Sequence, residues 1–276
     1  MHRFSLVFAA ALFLRAAPAP LTIVKPAISD LEDGPAIPAT FTFVPGQFVF
    51  LSFEIGGYKI SPEQKIRLSY KVEAADPKGV AVLEPIESVV DTTLSDEDKK
   101  WRPIVRHQIL IPPLAGSGIY SITINVKDDL AGSTASQQIK FEVRGRDVAP
   151  SDTLVVRNFH FYRSEDDRDP LATAVYKPGD TLWARFDITG YKFADHNAID
   201  LDYGISVVAP SGRVLFAQEK AAEEKSSSFY PKLYVPGSMN LSLQANIRPG
   251  QYTIVLTPRD HIGKQTYESK ATFTIE

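Results

Sequence analysis

The chain has 276 residues, with 30 Lys and Arg against 33 Asp and Glu, a formal net charge of −3 and 44% hydrophobic residues. This is the composition of a folded globular protein, and it supplies no basic field for binding nucleic acid. The chain contains no cysteine, which excludes disulfides, thiol nucleophiles, iron–sulfur clusters and zinc sites with thiolate ligands.

The N-terminal segment differs in character from the rest of the chain. A short positive start precedes an apolar run over residues 4–14 and the small-residue pattern Ala17-Pro18-Ala19. This order predicts a secretory signal peptide over residues 1–19, because the run is too short to span a membrane. Pro20 is unfavourable after a cleavage point, so an uncleaved signal anchor stays open as an alternative. We therefore expect an exported protein, periplasmic or extracellular, with no other membrane-spanning segment.

An internal duplication organises the remaining chain. Identical residues recur at an offset of 133 positions, which slips to 132 after a variable middle part: Pro45-Gly46 with Pro178-Gly179, Phe53 with Phe186, Gly57-Tyr58-Lys59 with Gly190-Tyr191-Lys192, Gly118 with Gly250, Tyr120 with Tyr252, Asp128 with Asp260. Each copy has roughly 125 residues, a usual size for one hydrophobic core. The sequence predicts two domains, residues 20–145 and 153–276, joined by a linker over residues 146–152.

Apolar residues alternate along several segments of each copy, which is the period of a half-buried β-strand. Val49, Leu51 and Phe53 share one face in the first copy, as Leu182 and Phe186 do in the second. Each copy contains two such segments, and further strands of the first copy are predicted at residues 21–25, 80–83, 108–111, 120–126 and 138–143. About seven strands of this kind predict an all-β chain of two tandem antiparallel β-sandwiches.

A turn followed by a tyrosine closes both copies. Pro249-Gly250-Gln251-Tyr252, and less perfectly residues 116–120, resemble the end of bacterial immunoglobulin-like and fibronectin type III-like domains. The resemblance covers both copies, although the Cys-Trp-Cys signature of antibody domains is absent. It implies an Ig-like fold in which the hydroxyls of Tyr120 and Tyr252 bond to nearby backbone. It implies no particular activity, because this fold carries many functions.

The chemistry-bearing residues form no recognisable catalytic set. The five histidines never occur at metal-ligand spacing, and neither a nucleophile elbow nor a phosphate-binding glycine loop is present. We therefore expect no catalytic residues, no cofactor and no metal site. An enzyme with a site between the domains remains a less favoured alternative, which would require His160, His196 or His261 beside a carboxylate in a shared cleft.

Acidic residues cluster in loops, as they do in calcium-binding domains. The candidates are residues 165–169 with their counterparts Asp30, Glu32 and Asp33, and the pair Asp128-Asp129. Neither the twelve-residue helix-loop-helix calcium pattern nor the interdomain Asp-x-Asn-Asp-x-Ala-Pro string of cadherins is present, which favours solvated turns, although calcium binding stays open. Asp128 and Asp260 recur at the same place, and this favours capping of a hairpin through bonds to their own backbone.

Aromatic residues supply the candidate contact surface. Alternation that buries Val49 turns Phe48 and Phe50 outward, and in the second copy it turns Trp183 outward. The copies differ most between their fourth and fifth strands, where the first has a capped helical turn at Ser95 and the second has residues 219–231 as a crossover loop. These segments add Trp101, Phe229 and Tyr230 as partner contacts, with anchoring of the loops to the core as the alternative.

Together these features predict an exported, non-catalytic interaction or spacer protein of the cell envelope or extracellular space. Its partner is expected to be a protein or a glycan. Carbohydrate binding by the outward aromatic residues is the first alternative.

Overall fold

The structure is a computed structural model that describes residues 20–38, 40–98 and 100–276. The predicted signal peptide, residues 1–19, lies outside these ranges. In the part described, the chain is all-β and forms two tandem β-sandwiches, each made of a three-stranded sheet facing a larger one. The described residues contain no helix with the length and apolarity needed to cross a membrane.

The described residues of the first half form eight strands in two sheets. The small sheet has the order β1-β3-β6 and the large sheet has the order β2-β8-β7-β4-β5. A short 3-10 turn at Asp96–Asp98 precedes β6. The strands are β1 (Thr22–Ser29), β2 (Thr42–Phe43), β3 (Phe48–Gly56), β4 (Lys65–Ala75), β5 (Ile86–Thr93), β6 (Ile104–Leu110), β7 (Gly118–Asp128) and β8 (Thr134–Val143).

The second half repeats this plan with one extra short strand. Its small sheet has the order β14-β11-β9, and its large sheet has the order β10-β17-β15-β12-β13, with β16 paired to β15. The strands are β9 (Val155–Tyr162), β10 (Val175–Tyr176), β11 (Thr181–Thr189), β12 (Ile199–Val208), β13 (Val214–Ser226), β14 (Tyr234–Ser242), β15 (Gly250–Asp260), β16 (Gln265–Thr266) and β17 (Ser269–Ile275).

The alternation read from the sequence is what fills the two cores. Val49, Leu51, Phe53 and Ile55 of β3 are buried, and the matching residues of β11 are buried in a second, separate cluster. Polar residues such as Arg67 lie on the outer face of β4. Burial of apolar surface, which contributes about 25 cal/mol per Å², is the main force that holds each pair of sheets together.

The duplication extends to the irregularities of the strands. β1 and β9 each carry a bulge where they pair with the central strand of their sheet, and each bulge contains one residue with positive φ, Lys25 at 48° and Asn158 at 50°. Ser29 pairs with Phe50 in the first half, and Tyr162 pairs with Trp183 in the second. Strands β1 and β3 therefore match β9 and β11 residue by residue at an offset of 133.

Three details of the predicted strands were wrong. The predicted strand at residues 80–83 makes only an isolated bridge, and the strand lies instead at β5. Residues 219–226, interpreted as a crossover loop, belong to the long strand β13. Each half also contains a parallel pair, β2 with β8 and β10 with β17, because a short strand crosses to the large sheet beside its last strand. The strands β5 and β13 were missed because they are exposed edge strands, which lack a buried face and so show no apolar alternation.

The repeated tyrosines take the role that the resemblance implied. The hydroxyl of Tyr120 donates to the carbonyl of Gly116 at 3.0 Å, and that of Tyr252 donates to the carbonyl of Arg248 at 2.7 Å. Both rings are buried. They fix the turn that leads into β7 and β15.

Removing the hydroxyl of Tyr252 tests this role. We expect Tyr252→Phe to lower the free energy of unfolding of the second half by about 1 kcal/mol, because the ring stays and one hydrogen bond is lost. Urea unfolding followed by tryptophan fluorescence measures the change. Tyr267→Phe, at an exposed position, is the control and should leave stability unchanged; an equal effect of both substitutions would contradict the role.

The repeated aspartates cap their hairpins, as predicted. The carboxylate of Asp128 accepts backbone N–H bonds from Leu130 and Ala131, at 2.9 and 3.0 Å. A further bond of 2.6 Å comes from the N–H of Lys59, across the sandwich. Asp260 accepts the equivalent bonds in the second half. Each buried carboxylate thus ties the repeated Gly-Tyr-Lys segment of its half to the hairpin.

Candidate functional site

A groove lies on the outer face of the small sheet of the first half. It has a volume of about 740 Å³, which is within the usual range of ligand pockets. Its floor includes Ser29 from β1 and Phe50 and Ser52 from β3. The loop that follows β1 forms one wall of the groove and contributes Glu32 and Asp33.

Charged side chains surround this groove. Lys25 contacts the carboxylate of Glu54 at 3.2 Å, and Arg106 contacts that of Asp33 at 3.0 Å. Asp33, Lys25 and Arg106 are all exposed, and such surface pairs contribute only about 0–1 kcal/mol. Glu32 adds a third carboxylate. The lining therefore has three acidic and two basic side chains.

The same position in the second half is filled. Arg185, the counterpart of Ser52, donates from Nη1 to the carbonyl of Asp167 at 2.7 Å and from Nη2 to the carbonyl of Glu165. Its guanidinium lies 4.3 Å from the ring centre of Tyr162, the counterpart of Ser29. Two large stacked side chains therefore occupy this position in the second half, whereas the first half has two serines there and carries its arginine, Arg106, on the neighbouring strand β6 opposite Ser52.

The second structural feature is the junction between the halves. Tyr230 follows β13 in the second half, yet its ring is buried in the core of the first half, with 8% of its surface exposed. Its hydroxyl donates to Oδ2 of Asp76 at 3.0 Å. Burial raises the pKa of Tyr230, and the neighbouring Tyr120 and Asp76 raise it further.

The hydrogen bonds of Asp76 at this junction are those of a structural contact. Oδ1 of Asp76 accepts backbone N–H bonds from Lys78 and Val80, both at 2.8 Å, while Oδ2 accepts the bond from Tyr230. A tyrosine whose pKa is raised keeps its proton at neutral pH, so it is a poor base or nucleophile. The contacts therefore support a structural role, although a cavity of about 460 Å³ adjoins them.

An ion pair joins Arg146, which follows β8, to a buried aspartate of the second half. Nη2 of Arg146 lies 2.8 Å from Oδ2 of Asp187, a side chain with no exposed surface. The same oxygen accepts a bond of 2.8 Å from Asn158. Among the described residues, Oδ1 of Asp187 is a buried side-chain atom without a hydrogen-bond partner. Burial raises the pKa of Asp187, and Asn158 and Arg146 oppose this only in part.

The raised pKa of Asp187 predicts a pH-dependent stability. A carboxyl with a higher pKa in the folded than in the unfolded protein favours folding as pH falls through the folded pKa towards the unfolded one. Asp187→Asn removes this titration. We expect the free energy of unfolding of the wild type, relative to this variant, to rise from pH 7 towards about pH 4, near the ordinary pKa of aspartate. Urea unfolding at each pH measures it, and a constant or falling difference contradicts a raised pKa.

The predicted outward aromatic residues lie at matching positions on the small sheets. Phe50 is half-buried, lines the groove and has its ring centre 6.2 Å from that of the exposed Phe48. Trp183 is half-buried and pairs with Tyr162 beside the filled position. As partner contacts, both remain predictions.

The predicted loop residues are placed apart from the groove floor. Trp101 is exposed, and its carbonyl accepts a bond from the hydroxyl of Tyr58. Phe229 is 48% exposed, and its carbonyl accepts a bond of 2.6 Å from Asn197. The neighbouring Tyr230 contacts the first half of this chain, so loop anchoring is the alternative that describes it.

Of the histidines that the sequence singles out, His196 lines a cavity of about 470 Å³ together with Glu84 of the first half, whereas His261 meets a carboxylate within the second half. Nε2 of His261 lies 2.7 Å from Oδ2 of Asp202, within hydrogen-bond reach of a carboxylate. Both residues belong to the second half, and Arg259 contacts the other oxygen of Asp202 at 2.6 Å. His107 of β6 contacts the hydroxyl of Tyr70 at 3.1 Å, and burial lowers its pKa.

The acidic loops form turns. In the second half the carboxylate of Asp167 accepts bonds from the backbone of Arg163 and from the backbone and hydroxyl of Ser164. Over residues 20–38, 40–98 and 100–276, no three His, Cys, Asp or Glu side chains are grouped so as to hold a metal ion.

Sequence reasoning missed Ser29, Ser52, Asp76 and Arg146. The two serines were visible as the counterparts of Tyr162 and Arg185 in the duplication, and a change from two large to two small residues is the signal that marks the groove. Asp76 and Arg146 gave no signal, because their importance depends on contacts between the halves.

Comparison with solved structures finds distant similarities. No family model matches the chain, and no curated protein matches it. It is similar to the C-terminal domain of the antigen I/II polypeptide BspA of Streptococcus agalactiae, with 11% identity, a TM-score of 0.32, and 91% of this chain and 99% of that chain covered. The C-terminal domain of the antigen I/II-family protein AspA of Streptococcus pyogenes gives 10%, 0.33, 91% and 99%. Similarity at this level says nothing about what the chain binds.

Proposed function

We propose that the chain is an exported, non-catalytic interaction or spacer protein of the cell envelope or extracellular space. In this proposal residues 1–19 are the signal peptide, and residues 20–145 and 153–276 are two Ig-like modules on either side of the linker 146–152. The observation that carries it is the burial of Tyr230 in the core of the first half. This contact gives the two modules one fixed relation.

The physical argument concerns the freedom of tandem domains. Domains joined by a short polar linker move relative to one another unless their interface is extensive and apolar. Here a ring from one half is packed in the other and bonded to Asp76, while Arg146 of the linker is paired with the buried Asp187. Both contacts oppose rotation about the linker. A spacer or a presenting scaffold requires a fixed separation of this kind.

A distance measurement tests the proposal. The chain has no cysteine, so Lys140→Cys and Lys270→Cys accept one spin label on each half. We expect a narrow distribution of distances between the labels in pulsed electron resonance, and a broad one after Tyr230→Ala. A broad distribution in the labelled wild type would overturn the spacer role, and turnover of an ester, glycoside or peptide that survives purification would overturn the non-catalytic role.

Carbohydrate binding is the second candidate. It is favoured by the neighbouring outward rings of Phe48 and Phe50 on the small sheet, and by Trp183 at the matching position of the second half. Retention on polysaccharide that is lost after Phe50→Ala or Trp183→Ala would support it. Absence of binding to any member of a sugar panel would remove it.

A further inference from the structure

A cavity at the junction is lined by residues of both halves. It has a volume of about 470 Å³, within the usual range of small-ligand sites. Glu84, which precedes β5, contributes from the first half, and His196, Asn197 and residues 227–229 contribute from the second. Ligand sites occur preferentially at domain interfaces. The complete lining of this cavity requires both halves.

The backbone that carries Phe229 is fixed to both halves. Nδ2 of Asn197 donates to the carbonyl of Phe229 at 2.6 Å and to that of Ser228 at 3.2 Å. The next residue, Tyr230, is buried in the first core and donates to Asp76. The ring of Phe229 nevertheless stays 48% exposed and stacks on no other ring of the described residues. A fixed backbone that presents a bare ring loses little freedom when a ligand stacks on it.

The turn beside this ring has an unusual backbone. His196 and Asn197 are consecutive non-glycine residues with φ of 57° and 51°, in the left-handed region that a Cβ disfavours. The carbonyl of His196 accepts a bond of 3.3 Å from the N–H of Ser228, but its imidazole makes no hydrogen bond or ion pair with any residue that the structure describes. Such backbone conformations cluster at binding sites. The imidazole is therefore placed beside the cavity with both nitrogens available.

The polar groups around the ring indicate a class of ligand. The carboxylate of Glu84, like the imidazole of His196, has no partner within the described ranges, and the hydroxyls of Ser227 and Ser228 line the same cavity. No Lys or Arg is among the described lining residues, which argues against an anion, and one carboxylate falls short of the oxygen ligands that a hard cation requires. Donors and acceptors around an aromatic ring suit a neutral sugar, which has an apolar C–H face and a rim of hydroxyls.

We propose that the junction cavity binds a neutral pyranoside, whose C–H face stacks on Phe229 and whose hydroxyls bond to Glu84 of the first half and His196 of the second. This inference rests on the proposed fixed relation of the two modules. It places carbohydrate binding at the junction and not at Phe50 or Trp183. A ligand that contacts both halves also stabilises the contact between them.

Titration of the full chain with three neutral oligosaccharides tests the inference. The probes are cellotetraose, maltotetraose and N-acetylchitotetraose, which present pyranose faces of different stereochemistry. We expect saturable binding of at least one tetramer by calorimetry, about tenfold weaker in Phe229→Ala and severalfold weaker in Glu84→Gln. Both side chains are exposed, so neither substitution is expected to unfold the chain. Absence of binding of all three tetramers would overturn the inference.

Matched substitutions locate the site. Tyr267→Ala removes an exposed ring of the second half that does not line the cavity, and Glu87→Gln removes an exposed carboxylate of β5 outside it. Both should leave binding unchanged. Equal effects of Glu84→Gln and Glu87→Gln, or binding that survives Phe229→Ala, would refute the cavity as the site.

Three further outcomes separate this inference from the proposed function. Binding that is lost in Phe50→Ala or Trp183→Ala but kept in Phe229→Ala would overturn the inference and support the sugar site on the small sheets. If no tetramer binds while the distance between the spin labels stays narrow, the inference fails and the spacer role is retained. A broad distribution that narrows on addition of the bound tetramer would overturn the spacer role of the free chain and support the cavity.

Discussion

Replacing Tyr230 by alanine is expected to destabilise the half of the protein to which Tyr230 does not belong. The ring is part of the first core, and removal of a buried aromatic side chain costs about 3–5 kcal/mol. The lost bond to Asp76 adds to this cost, because its carboxylate Oδ2 loses a partner in a buried position. We therefore expect the first half to unfold at a clearly lower urea concentration.

The two tryptophans make this measurable in each half separately. Trp101 belongs to the first half and Trp183 to the second, and the chain has no others. In a Trp183→Phe background, fluorescence reports the first half alone. Phe229→Ala is the matched control, since its side chain is 48% exposed and surface substitutions usually change stability by less than about 0.5 kcal/mol. An unchanged first-half transition in Tyr230→Ala would show that the junction contact does not form in solution.

Replacing Asp260 by alanine is expected to cost about 3 kcal/mol or more in the second half. The carboxylate accepts backbone N–H bonds from Lys192, Ile262 and Gly263, and a side-chain bond from Gln265. Hydrogen bonds to a charged group contribute about 1.5–3 kcal/mol each, and the substitution leaves several donors without an acceptor. Urea unfolding followed through Trp183 measures the loss.

The duplication provides a matched experiment for this prediction. Asp128→Ala should destabilise the first half in the same way, as reported by Trp101, because Asp128 makes the equivalent bonds. Asp166→Ala removes an exposed acidic residue of the loop after β9 and serves as the control. If all three substitutions have similar small effects, the capping role is wrong.

Much of the fold was predictable because two signals can be read directly from the sequence: the alternation of apolar residues and the repetition of turn residues. Alternation at Val49, Leu51 and Phe53 reports a strand with one buried face, and the recurrence of Asp128 at Asp260 reports a turn that must be capped. The edge strands β5 and β13 were missed because they bury neither face fully. The resemblance to Ig-like domains correctly implied the bonding of Tyr120 and Tyr252.

The sites were less predictable because they depend on contacts between residues that are far apart in the sequence. Phe229 and Tyr230 are adjacent aromatic residues in one polar segment, yet one is exposed and the other is buried in the opposite half. The local sequence does not distinguish these two residues, because the burial of Tyr230 depends on its contact with Asp76 in the first half. The groove was recognised only once the strand register showed which residues of the second half correspond to Ser29 and Ser52.

The junction also gives the pair of modules a direction. At the offset of 133, Asp76 corresponds to Ala209, and at the offset of 132, Tyr230 corresponds to Asp98. The tyrosine of this contact is therefore present only in the second copy, and the aspartate that accepts its hydrogen bond only in the first. Exchanging the order of the two modules would leave an aromatic residue in water and a hollow beneath Asp76. The two copies are therefore not interchangeable, because each carries one side of the contact.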